Sequence, residues 1–144
     1  MKRVVAVLAV LLIAGVLLTG CSVKALKESD VSFADGMAEN VLTAETARDY
    51  DTWAKDMDET MLKAVPKDKF EALIIDPIRG EIGDYVAGSK KFSAAVESKG
   101  STTVQYLAKF TNEEQVKVTI SFKDVDGQKR IIGEWADSPK LRGK

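Results

Sequence analysis

No histidine occurs in this 144-residue chain, and Cys21 is its single cysteine. Ser-His and Cys-His nucleophile pairs are thereby excluded, as are imidazole and thiolate-rich zinc sites. Chemistry would fall to carboxylates, tyrosine, lysine and hydroxyls. The densest carboxylate group is Asp49, Asp51, Asp56, Asp58 and Glu59. A calcium loop beginning at Asp49 needs Gly at its sixth position and Glu at its twelfth. Ala54 and Thr60 stand there, so the cluster reads as a solvated face that caps helices. The aromatic set Trp53, Tyr85, Tyr106, Phe110, Phe122 and Trp135 offers either core packing or the wall of an apolar pocket with a few polar atoms. No catalytic, metal or cofactor residue is assigned on this basis.

Cys21 has a different significance. Lys2 and Arg3 precede the uncharged run 4–18, and Leu18-Thr19-Gly20 leads into the cysteine. The run is short for a membrane span, which needs about 20 apolar residues, and suits a signal peptide. The ending resembles a lipobox, which implies cleavage after residue 20 and acylation of the Cys21 sulfur. Attachment to the extracytoplasmic face of the cell membrane follows, and Ser22 would direct the protein to the outer membrane in a two-membrane cell. Residues 1–20 are then the signal peptide and 21–31 a lipidated tether. The eight residues Ser22–Ser29 reach at most about 29 Å.

Cleavage leaves 124 residues, enough for one domain, here 32–137, with 138–144 as a frayed tail. Without Lys2 and Arg3 the mature chain has 19 basic and 22 acidic residues, a net charge of −3. That balance argues against nucleic acid and against a polybasic membrane clasp.

Helical periodicity runs to about residue 84 and strand alternation to about 137. Ser32 with Asp35 marks the first helix start, and Phe33, Met37 and Val41, flanked by Ala34, Ala38 and Leu42, mark its buried face. A second stripe holds Tyr50, Trp53, Ala54, Met57, Met61 and Leu62; a third holds Phe70, Leu73 and Ile74. Asp76-Pro77 predicts a fresh start, with Ile78 and Ile82 continuing the stripe. Four strands follow: Phe92, Ala94 and Val96 share a face, then Val104 to Phe110, then Val116 to Phe122, then Ile131, Gly133 and Trp135. Asp126-Gly127 is a hairpin turn. Lys90, Lys91, Lys117 and Lys123 are expected on the exposed face. The fold class is therefore α+β, with N-terminal helices on a curved, mostly antiparallel sheet of about four strands.

The order Asp49-Tyr50-x-x-Trp53, Met57-Asp58-x-x-Met61, Phe70-x-x-Leu73 and Ile82-Gly83-x-Tyr85 ahead of strands resembles the DUF3887 family, over roughly residues 33–137. Those domains are frequent in secreted lipoproteins and similar to the NTF2-like cone. The resemblance implies a curved sheet with a hollow under its helices. By analogy with NTF2-like enzymes, an aspartate base (Asp58 or Asp84) with Tyr106 as donor is the catalytic option. The leading expectation is a non-catalytic, membrane-tethered domain that binds a small apolar ligand or an envelope protein. A self-associating structural lipoprotein, dimerising through Leu107 and Ile132 on the outer sheet face, is the alternative.

Overall fold

The computed structural model describes residues 22–143. Four antiparallel pairings build one sheet in the order β1-β2-β3-β4-β5, from Lys24–Leu26 (β1), Lys91–Ser98 (β2), Ser101–Phe110 (β3), Glu113–Val125 (β4) and Gln128–Asp137 (β5). The α-helices are Ser32–Ala47 (α1), Tyr50–Ala54 (α2), Glu59–Ala64 (α3), Asp76–Ile82 (α4) and Pro139–Arg142 (α5). The expected α+β class is observed, with helices on the concave face of an open, curved sheet.

Alternation explains β3 and β4. Val104, Tyr106, Ala108 and Phe110 lie buried beside Val116, Val118, Ile120 and Phe122, in a register that pairs Val104 with Ile120 and Tyr106 with Val118. The other face is polar and hydrogen-bonded across strands, as between the Thr103 and Ser121 hydroxyls at 2.9 Å. Ala34, Ala38, Val41 and Leu42 of α1 close the core from the helical side, with Phe33 edge-on to Phe122 at 5.3 Å. Trp53, Phe70 and Tyr50 form a second cluster, with Trp53 and Phe70 at 5.1 Å.

Five strands replace the expected four. Lys24–Leu26, read as free tether, pairs with Ala95–Glu97 of β2, because the edge of β2 offers unpaired backbone groups that a short extended segment can satisfy. The tail is docked as well. Ser138 is buried and caps α5 by accepting from the Leu141 N–H, and Leu141 packs against the core. Lys90 departs from the exposed lysines: its side chain is 6% exposed and pairs with Asp35 at 2.6 Å and Glu39 at 3.3 Å.

Bulges overturn two strand faces. An irregularity between Phe92 and Ala94 puts Ala95 inside instead of Ala94 and Val96. In β5, Ile131 pairs with Phe122 but Gly133 pairs with Ser121, leaving Ile132 as the extra residue. A single inserted residue reverses the side-chain parity beyond it. Glu134, opposite Ile120, therefore turns inward, and Trp135 turns out to 70% exposure.

The helical run before β2 is also altered. Pro77 has no N–H for the Leu73 carbonyl and its ring crowds that turn. Residues Glu71–Ile75 widen into a π turn, with the Asp76 N–H reaching back to the Glu71 carbonyl. The run stays helical through Asp76-Pro77 where a fresh start was expected. The extra residue in the turn rotates Leu73 out to 50% exposure and carries Ile75 into the core.

Candidate functional site

A cavity of about 350 Å³ opens between the concave sheet face and the helical run 71–82. Its walls are apolar: Leu42 from α1, Ile74, Pro77 and Ile78 from the helical run, Val118, Ile120 and Ala136 from the sheet, and Leu141 from α5. The π turn shapes one wall, and the docked tail closes another. Two carboxyls, Glu45 and Glu134, line the same cavity.

Their positions have separate causes. Glu45 continues the buried stripe Ala34, Ala38, Val41 and Leu42 at helical spacing, so α1 delivers it to the interior at 4% exposure. Glu134 arrives through the β5 bulge. Arg79 follows Ile75 by one helical turn on α4, with its side chain 9% exposed. Its Nη2 stands 3.7 Å from Glu45 Oε2 and its Nη1 3.6 Å from Asp84 Oδ1. Nη1 also donates to the Gly83 carbonyl at 3.1 Å, and the guanidinium lies over the Phe110 ring at 5.6 Å.

Burial first, and then the Glu134 carboxylate, push the Glu45 carboxyl well above its ordinary value, against the opposing pull of Arg79. Burial likewise lowers Arg79, with Glu45 and Asp84 acting against it, but a guanidinium keeps its proton at any ordinary pH. The Trp53 indole bears on Glu45 without a well-aligned hydrogen bond, since its Nε1 has no partner within the protein. Among the described residues, four buried side-chain polar atoms lack a hydrogen-bond partner in the protein: Glu45 Oε1, Glu134 Oε2, Trp53 Nε1 and Arg79 Nη2. All four belong to this one group. A polar atom left wholly unpaired costs roughly 1–3 kcal/mol, and here donors and acceptors face one another, since Glu45 bears on Glu134, Arg79 and Trp53.

Of the aromatic set, Phe110 and Trp135 line the cavity, with Trp135 at its rim. Trp53, Tyr85, Tyr106 and Phe122 are core residues. The Tyr85 hydroxyl donates to Glu39 Oε2 at 2.8 Å; burial and that carboxylate raise it to about 12. Tyr106 is raised by burial and then by Asp35 and Glu28, with the Lys90 ammonium 5.5 Å from its ring centroid. Asp58 caps α3 through the Met61 N–H at 2.8 Å, and Asp84 is 59% exposed beside Arg79. Neither aspartate is brought to Tyr106. The acidic cluster is spent on local structure: Asp49 caps α2, Asp51 pairs with Lys67, Asp56 accepts from Asn40 and Glu59 pairs with Lys63. Among the described residues no group of side chains is arranged to hold a metal ion, and no helix is long and apolar enough to cross a membrane. Cys21 lies outside the described residues.

No protein-family model, no curated protein and no solved structure matches the chain.

Proposed function

We propose that the protein is a non-catalytic, ligand-binding lipoprotein, held on the extracytoplasmic face of the membrane through acylated Cys21, and that the cavity under α4 receives a small, largely apolar ligand. The observation that carries this reading is the cavity itself: an apolar hollow of about 350 Å³ with its few polar atoms gathered around Glu45 and Glu134. Its size falls in the usual range for small-molecule sites, roughly 300–1,000 Å³. Ala136 lines the hollow and is only partly buried, so Ala136→Phe fills it without disturbing α1. Titration with a solvent-sensitive naphthylamine dye is expected to give saturable fluorescence that Ala136→Phe removes. Equal dye binding by both proteins would dismiss the reading, and intact-mass measurement of the native protein tests the acylation.

A second reading, self-association through the outer sheet face, draws on Trp135 at 70% and Leu107 at 42% exposure. Sedimentation at high concentration is expected to show a dimer that Trp135→Ser dissociates; a monomer throughout eliminates it.

A further inference from the structure

The cavity has an electrostatic end as well as a shape. Three carboxyls approach the Arg79 guanidinium: Glu45 from α1, Glu134 from β5 and Asp84 from the turn after α4. Arg48, at the end of α1, is the second cation acting on this group, and it is turned to Glu71 at 3.4 Å. Glu45 and Arg79 are at least nine-tenths buried, and each keeps one polar atom without a partner. Glu45 Oε1 and Glu134 Oε2 accept from no N–H or hydroxyl of the protein, and the two carboxyls bear on one another, so a proton on Glu45 bonds the pair together. Both residues line the apolar hollow.

We infer that Glu45 and Glu134 form the head-group subsite of this cavity and that its ligand class is a lipophilic ammonium ion, a protonated primary amine carrying an apolar tail. This rests on the binding role proposed above. The tail occupies the space between Ile78, Ile120 and Leu141, and the ammonium enters between the two carboxyls, which turn from one another to accept from it. Charge-assisted bonds of this kind are about twice as strong as neutral ones. The cation also takes the place of a proton. Burial and Glu134 favour the protonated form of Glu45 to higher pH than an ordinary carboxyl. A bound ammonium stabilises the Glu45 carboxylate, so over the pH range in which Glu45 carries a proton that proton leaves to solvent as the ligand's positive charge arrives.

The test compares n-octylamine, n-octanol and n-octanoate by calorimetry. It uses the mature chain 21–144 with Cys21→Ser, which retains every core and cavity residue described. At pH 8 octylamine is expected to bind about tenfold more tightly than octanol. Below the Glu45 titration its affinity falls and binding releases up to one proton, seen as a heat that changes between buffers of different ionisation enthalpy. Octanol shows neither effect. Glu134→Gln is expected to lose the amine preference and keep octanol affinity; the proton release needs no variant. Equal affinities for amine and alcohol without proton release overturn the head-group assignment and leave the cavity reading standing. Tighter binding of octanoate overturns it in favour of Arg79 as an anion receptor. No binding by any of the three overturns the cavity reading itself.

Discussion

Arg79 Nη2 and Glu45 Oε2 face each other at 3.7 Å, an ion pair with both side chains at least nine-tenths buried. The separation is too long for a hydrogen bond of ordinary geometry. Coulomb attraction holds the pair, and the desolvation of both groups opposes it. Such pairs add little net stability when intact, but removing one partner exposes the cost of the other. Arg79→Met is therefore expected to lose about 3–5 kcal/mol at pH 8, where Glu45 must be buried either as an uncompensated charge or with a proton taken up against the pH. The loss is smaller at pH 5. Urea unfolding at both pH values measures the difference, and an equal loss at the two would mean that the pair is not electrostatically coupled.

Glu45 sets the sign of a pH dependence. Its folded value lies above the ordinary 4.5, so the folded state binds the proton more tightly than the unfolded chain does. The stabilisation is fully present below the unfolded value and is lost as pH rises through the folded one. The slope approaches at most about 1.4 kcal/mol per pH unit for one proton. Glu45→Gln cannot titrate, and denaturation midpoints across pH 5–9 are expected to flatten relative to the parent. An unchanged profile would assign the slope to other groups.

Gly83 ends α4 with φ of 79°, and a Cβ there would strike the Thr111 side chain. That close approach lets the Thr111 hydroxyl accept from the Asp84 N–H at 3.0 Å and the Asn112 N–H reach the Ile82 carbonyl at 3.0 Å. The β3–β4 hairpin is thereby pinned to the end of the helix that carries Arg79. Gly83→Ala is expected to cost about 1–3 kcal/mol through backbone strain, with the steric clash adding to it. Thermal unfolding checks it; a loss under 0.5 kcal/mol, roughly the effect of an ordinary surface change, would contradict the pinning.

Lys99 and Asp126 occupy the first central positions of two-residue turns, with φ of 51° at each and Gly100 and Gly127 following at 75° and 77°. Asparagine tolerates this left-handed region better than lysine does. Lys99→Asn is expected to stabilise by roughly 0.5 kcal/mol, the scale of a relieved turn residue. Chemical denaturation at fixed pH reports it, and destabilisation would indicate that Lys99 makes a compensating contact.

The α+β class, the β3–β4 alternation and the helical core of α1 were legible because each rests on a local period. Glu45 was legible in principle: it follows Ala34, Ala38, Val41 and Leu42 on the same stripe, and an acid in that position asks for a buried partner. Glu134 was not. Strict alternation places it outside and Trp135 inside, and the reversal comes from one extra residue, Ile132, whose bulge is set by the cross-strand register with β4. Leu73 was misplaced for a similar reason, since the π turn before Pro77 adds a residue to the helical period. The Lys24–Leu26 strand is too short to carry a pattern; the free edge of β2 selects it.

That short strand also governs how the molecule would stand on its anchor. With acyl chains at Cys21 as proposed, only Ser22 and Val23 separate the lipid from hydrogen-bonded backbone, a gap of at most about 11 Å for three extended steps. The sheet edge is then moored against the headgroups, with no slack to drift on a leash. Amphiphiles concentrated in the outer leaflet would meet the protein at the boundary where they already reside.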